Sequence, residues 1–280
     1  MHTMLTLTAI HDRYLVDKPS QKNRIAEIYH LSRAVTLFKQ KLSDPIQLGD
    51  RDALWATAAL LGMVTFSLID ALKPEDAWPL KDSDSTDLEW MQLGESKQTI
   101  WTIADPMRTE SLFHHQATDY YNAWMEVLAS NTTLEDIPMQ FIQLYSLNEM
   151  TSAENNVYFR PLLGLAAVLS CTKPPLVIMH FNIFMSHMES RFKMLLIQKD
   201  PRALLIISYW YSTVCDTSIW WMQRRALLEC QAICMYLEKY HAYDTSIQEL
   251  LQFPKIQCGF SRWKPGYPVD LQIPSLEASM

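Results

Sequence analysis

The chain has 280 residues, of which 49% are hydrophobic and 20% charged, a composition that supports a full globular core. Its six glycines are too few for a Rossmann or P-loop enzyme, which needs several glycine-rich turns. The formal net charge is −7 and the sequence contains no basic run. We therefore expect that these residues make no direct contact with nucleic acid.

Helical spacing of apolar residues runs through the chain and is interrupted at prolines and aspartates. The predicted helices cover residues 1–16, 20–42, 53–72, 87–103, 111–128, 137–147, 157–169, 174–198, 200–215, 218–240 and 244–251. Asp50 or Asp52 is expected to cap the third of these helices, and Gly94 to interrupt the fourth. No segment shows the alternation of a strand, so the sequence predicts one irregular all-α domain of about ten helices.

The last part of the sequence differs from the rest because it is rich in proline. We place the helical domain at residues 1–253 and an extended, Pro-rich tail at 254–280. The apolar runs at 161–171 and 175–185 are too short to cross a bilayer, so no membrane span is expected. The first residues lack the pattern of a signal peptide.

Cysteine usage predicts buried, reduced thiols of an intracellular protein. The five cysteines are Cys171, Cys215, Cys230, Cys234 and Cys258. Cys230 and Cys234 share one face of a predicted helix, but no further Cys or His pair stands nearby in the sequence to complete a zinc set. The sequence therefore predicts neither a metal site nor a cofactor.

Sequence motifs typical of catalytic sites are incomplete or absent in this chain. Three aspartates within residues 82–87 lack the glycine and the closing glutamate of a calcium loop, which favours a solvated loop. Asn182, Ser186 and Glu189 approach the Asn/Ser/Glu triplet with which terpene cyclases hold Mg²⁺. The glutamate comes one position too early, however, and no aspartate-rich partner motif is present. There is no G-x-S-x-G motif, so no catalytic residue is assigned.

Large aromatic and methionine side chains are concentrated within residues 179–222. Core packing explains any one of them, but such side chains gathered at helix ends also suit an apolar pocket. The candidate ligand-binding residues are Phe184, Met188, Tyr209, Trp210, Trp220 and Trp221.

Several sequence blocks follow one another in a characteristic order over residues 1–240. They are MHTMLTLTAIHDRYL, HLSRAVTLFKQKLSD, AWPL, DLEWMQLGESKQTIW, NNVYFRPL, DPRALLIISYW and WWMQRRALLECQAICMYL. In this order they resemble the C-terminal regulatory domain of fungal zinc-cluster (six-cysteine) transcription factors of the sterol uptake control type. The resemblance implies an all-helical domain that senses a hydrophobic ligand, ergosterol in the best-known branch. It also implies dimerisation, retention in the cytoplasm with ligand and entry into the nucleus without it.

The six-cysteine cluster with which that family binds DNA is not among these 280 residues. The resemblance therefore predicts the sensing part of a regulator of sterol or secondary-metabolite genes, found in nucleus and cytoplasm. Its expected partners are a sterol or terpenoid and either a second copy or a DNA-binding regulator. A helical fold recruited as an enzyme of terpenoid or polyketide biosynthesis, acting on an apolar substrate, is the alternative, although a non-enzymatic role is favoured.

Overall fold

The structure is a computed structural model that describes residues 1–15, 21–129, 132–170, 177–215, 217 and 219–259. Within these ranges the side chains of residues 21–23, 92–97, 127–129, 177–178 and 180 are not described. The described residues form twelve α-helices and contain no strand, which confirms the all-α prediction. No helix among them is both long and apolar enough to span a membrane. The helices are α1 (His2–Leu15), α2 (Gln21–Ser43), α3 (Arg51–Ser67), α4 (Glu89–Ala104), α5 (His114–Ala129), α6 (Met139–Leu144), α7 (Phe159–Leu169), α8 (Val177–Ser186), α9 (Ser190–Ile197), α10 (Pro201–Cys215), α11 (Trp220–Tyr240) and α12 (Thr245–Gln257).

Helix α10 lies at the centre of the core. It begins at Pro201, a residue suited to the first helical position because that position needs no N–H donor. The carboxylate of Asp200 accepts a hydrogen bond of 2.8 Å from the backbone N–H of Ala203 and so caps the helix. Every side chain from 203 to 212 is buried, and α7, α11 and α12 pack around it. The continuous apolar run of this segment therefore marks the centre of the domain.

The single long helix predicted over residues 174–198 is wrong, because α8 ends at Ser186 and α9 begins at Ser190. The side chains of Ser186 and His187 both donate hydrogen bonds to the carbonyl of Ile183, at 2.7 and 2.8 Å. At this turn α7 passes very close, since a Cβ built on Gly164 would lie 2.9 Å from the Cβ of His187. Local hydrogen bonding and this close approach of α7 therefore accompany the break.

The expected helix cap at Asp50 or Asp52 is also wrong. Asp50 precedes α3, but its side chain accepts no capping hydrogen bond from the first turn of that helix, and its carboxylate pairs with Lys41 at 2.7 Å. Asp52 instead accepts hydrogen bonds from Arg108 and Ser111, at 2.6 and 2.8 Å. Its carboxylate thus fixes the loop between α4 and α5 onto the start of α3.

Other parts of the helix prediction also differ from the structure, and α3 ends at Ser67 and not at residue 72. Helix α4 continues through Gly94 without interruption. Helix α12 extends to Gln257, past the expected end of the domain at residue 253. Its buried residues Ile247, Leu251 and Pro254 follow helical spacing, so packing holds the last turn despite the proline. The expected extended tail lies outside the described residues from position 260 onward.

Candidate functional site

Six aromatic rings from five helices meet beside α10, and we call this group the aromatic cluster. Its members are Phe66, Trp90, Phe181, Phe184, Trp210 and Trp221. Trp210 lies between two of them. It stacks on Phe184 at a centroid distance of 5.0 Å and on Trp90 at 5.7 Å.

Phe66, from the end of α3, presents its ring at a right angle to several neighbours in this cluster. Its centroid lies 4.9 Å from that of Trp90, 5.3 Å from Phe181 and 5.9 Å from Trp221. Edge-to-face pairs of this kind contribute about 0.5–1.5 kcal/mol each beyond the area that they bury. The cluster therefore fixes the relative positions of α3, α4, α8, α10 and α11.

Three of the six residues proposed from the sequence, Phe184, Trp210 and Trp221, belong to the aromatic cluster. Met188 is buried in the same core but is not one of these rings. The sequence proposal omitted Phe66 and Trp90, which come from helices distant in the chain. Phe181 lies in the aromatic segment at residues 179–222 but was not among the six candidates. Its position about one turn before Phe184 was the only local signal that it belongs with them.

The remaining two candidates lie elsewhere. Tyr209 projects from another side of α10, where its ring contacts Phe141 at 4.9 Å and its hydroxyl donates to the carbonyl of Leu250 at 2.7 Å. Trp220 packs against α1, with its ring 4.6 Å from that of His11. The structure therefore does not bring all six residues to one site.

The indole N–H of Trp90 is buried inside the aromatic cluster without a hydrogen-bond acceptor among the described residues. The Trp90 side chain as a whole is only 5% exposed. Leaving a buried donor unpaired costs about 1–3 kcal/mol. An acceptor oxygen placed beside this N–H would remove this cost.

A buried charge network forms one wall of the cluster. The guanidinium of Arg225 donates to the carbonyls of Phe66 and Leu68, at 2.7 and 2.5 Å, and it pairs with the carboxylate of Glu229. The second carboxylate oxygen of Glu229 accepts a hydrogen bond from the hydroxyl of Tyr211. Arg225 also lies 5.6 Å above the ring of Phe66, so α11 holds the end of α3 through one side chain.

Burial sets the protonation of this network. It raises the pKa of Glu229 above its ordinary value, and the charge of Arg225 offsets only part of that effect. Burial together with the Glu229 charge raises the pKa of Tyr211 well above its ordinary value. Tyr211 is therefore a neutral hydrogen-bond donor at neutral pH.

A separate, shallow groove lies on the surface around α6, with a volume of about 570 Å³. It is lined by Leu134, Glu135, Asp136, Ile137, Pro138, Met139 and Ile142. Its lining includes none of the six proposed ligand residues. Because this groove is open and has few polar groups that converge, it does not have the shape of an enclosed ligand pocket.

Helices α1 and α2 expose large apolar side chains, and we call this surface the α1–α2 apolar face. Its members are Met1, Met4, Leu5, Ile25, Ile28 and Tyr29. Met4 is 62% and Ile28 60% exposed, whereas Thr3 and Thr6 of α1 are buried. Exposed apolar residues beside buried threonines are the reverse of the usual pattern of a helix surface.

The residues considered for Mg²⁺ binding do not form a site. Asn182 donates to the hydroxyl of Tyr120 at 3.0 Å, and Glu189 pairs with Arg160 at 3.1 Å beyond the break after α8. Ser186 bonds its own helix, as described above. Throughout the described ranges, no group of three or more His, Cys, Asp or Glu side chains is placed to hold a metal ion.

Comparisons of the chain with protein families, with curated proteins and with solved structures found no match.

Proposed function

We propose that this chain is the ligand-sensing domain of a fungal transcriptional regulator of sterol or secondary-metabolite genes. Its ligand has an apolar body and one hydrogen-bond acceptor, as in a sterol or a terpenoid alcohol. The observation that supports the ligand is the aromatic cluster, in which the buried indole N–H of Trp90 has no acceptor among the described residues. The regulatory role is supported by the ordered sequence blocks alone.

The cluster has a closed centre and a part-exposed edge. Phe184 and Trp210 are fully buried, whereas Phe181 and Trp221 are part-exposed and lie 6.2 Å apart between ring centroids. In this proposal the rings of Phe181 and Trp221, which contact each other edge to face, move apart to admit the ligand. Its oxygen then accepts the hydrogen bond of Trp90, whose ring lies 6.5 Å from that of Phe181.

Binding at this position would act on the whole domain, because the rings come from five different helices. A ligand that fits only one arrangement of these helices stabilises that arrangement and raises its population. We propose that the ligand-bound arrangement remains in the cytoplasm and that the ligand-free arrangement enters the nucleus. The two arrangements would expose different surfaces. A dimer partner and the nuclear import machinery would each recognise one of them.

Titration of the protein with ergosterol or with farnesol tests the ligand. We expect a saturable change of tryptophan fluorescence, because Trp90, Trp210 and Trp221 all lie in the proposed site. Cholestane, which has a sterol-like body without an oxygen, should bind up to about tenfold more weakly than ergosterol, since one hydrogen bond contributes about 0.5–1.5 kcal/mol. A flat titration with folded protein would contradict the ligand proposal.

We further propose that the α1–α2 apolar face is where the domain dimerises. The Ile28→Glu variant should shift the protein toward monomer in sedimentation equilibrium, because a carboxylate would be buried at the contact without a partner. Gln40→Glu is the matched control, since it introduces the same charge at an exposed position about three turns further along α2 and on a different side of the helix. Wild-type protein that is monomeric at every concentration would overturn this assignment.

A further inference from the structure

Three helices bring four thiols together at one place in the fold. Cys215 ends α10, Cys230 and Cys234 lie in α11, and Cys258 follows α12. The sulfurs of Cys215 and Cys258, which are 43 positions apart in sequence, are 3.4 Å apart in space. Interaction with Cys234 and Cys258 contributes, after burial, to raising the pKa of the Cys230 thiol. Nothing in the local sequence predicts this group, because Cys258 is brought there only by the packing of α12.

The Cys215–Cys258 contact sits in a fixed environment. The side-chain amide of Gln231 donates a 2.8 Å hydrogen bond to the backbone carbonyl of Cys258, so α11 holds this residue in place. Cys258 is buried, whereas Cys215 is part-exposed. Cys215 is thus the more exposed residue of the pair, and we expect a small oxidant to reach it first.

We propose that Cys215 and Cys258 are a redox-modification site that a peroxide converts into a disulfide. The Cys215 thiolate attacks the O–O bond of the peroxide, becomes a sulfenic acid and releases water or an alcohol after proton transfer. The thiol of Cys258 then attacks that sulfur, the S–S bond forms and a second water leaves. With hydrogen peroxide, two thiols lose two hydrogens and the oxidant becomes two waters.

The geometry requires little movement for this reaction. Sulfurs in a disulfide are about 2.0 Å apart, so the two sulfur atoms must approach by roughly 1.4 Å from their present distance. The Cys230 thiol donates to the carbonyl of Ser208 at 3.5 Å, and burial raises its pKa well above the ordinary value. Cys230 is therefore a protonated bystander and not the group that attacks the peroxide.

A disulfide here would join the end of α10 to the end of α12 across α11. This cross-link restricts the unfolded chain and so stabilises the native fold. Oxidation would in this way fix α12 to the core, whatever ligand the aromatic cluster binds.

The test treats the full chain with hydrogen peroxide under native conditions and then counts free thiols. The count should fall from five to three, a peptide that links Cys215 and Cys258 should appear, and the melting temperature should rise by several degrees. A thiol reductant should reverse all three changes. Cys171→Ser is the matched control and should lose two thiols as the wild type does.

Two variants make the order of events testable. Cys215→Ser should keep all four of its thiols, because it lacks the group that attacks first. Cys258→Ser should stop at the sulfenic acid of Cys215, which dimedone labels. The proposal is overturned if folded wild-type protein keeps five thiols, if another cysteine pair is linked, or if Cys258→Ser gives no dimedone adduct.

Discussion

Replacing Arg225 by alanine should lower the free energy of unfolding by about 3–5 kcal/mol, because the Glu229 carboxylate would remain buried without its cationic partner. The same change removes both hydrogen bonds by which Arg225 holds the carbonyls of Phe66 and Leu68. Urea unfolding at neutral pH, followed by far-UV circular dichroism, measures the loss.

The neighbouring arginine provides a matched control. Arg224 donates a single hydrogen bond of 3.1 Å to the carbonyl of Ala71 and is only part-buried. Its replacement by alanine should therefore cost about 1 kcal/mol. Equal losses of unfolding free energy for Arg225→Ala and Arg224→Ala would show that the buried network around Arg225 stabilises the fold no more than a single hydrogen bond does.

The Glu229→Gln variant separates the charge of this network from its shape. Burial raises the pKa of Glu229 in the folded protein, so the native state binds more protons than the unfolded state over the range between the two pKa values. The stability from this group is complete below the ordinary carboxyl pKa and is lost as the pH rises through the raised value. Relative to the wild type, Glu229→Gln should therefore gain stability as the pH rises through that range.

Replacing Trp210 by alanine should cost about 3–5 kcal/mol of unfolding free energy, as expected for a large aromatic removed from a core. Trp210 is fully buried and stacks on both Phe184 and Trp90. Urea unfolding measures the cost. Trp220→Ala is the control, because Trp220 is part-exposed and packs on α1, and its loss should be clearly smaller. Comparable losses at the two positions would contradict a central role for Trp210.

The sequence predicted a helix correctly where residues within or next to that helix determine where it begins and ends. The Asp200–Pro201 start and the continuous apolar run predicted the position and the end of α10, because capping and burial there depend on neighbouring residues. The break between α8 and α9 could not be predicted in this way. It coincides with the close approach of Gly164 to His187, a contact between two different helices.

The same distinction applies to the candidate site. Phe184 and Trp210 could be chosen because they lie in a strongly aromatic segment, but Phe66 and Trp90 join them only through the packing of α3 and α4. Arg225 and Glu229 have the spacing of an ordinary surface pair. Their burial could not be predicted from this spacing, because it depends on the backbone carbonyls at the end of α3, to which Arg225 donates.

The most direct test of the central claim, that the aromatic cluster binds an apolar ligand through Trp90, is equilibrium binding of the fluorescent sterol dehydroergosterol. Energy transfer from tryptophan to the sterol reports the distance between them. The proposal predicts saturable transfer that ergosterol competes away, with affinity up to about tenfold lower in Trp90→Phe, which keeps a ring but loses the N–H donor. Absence of saturable transfer to folded wild-type protein, or equal affinity in the variant, would contradict it.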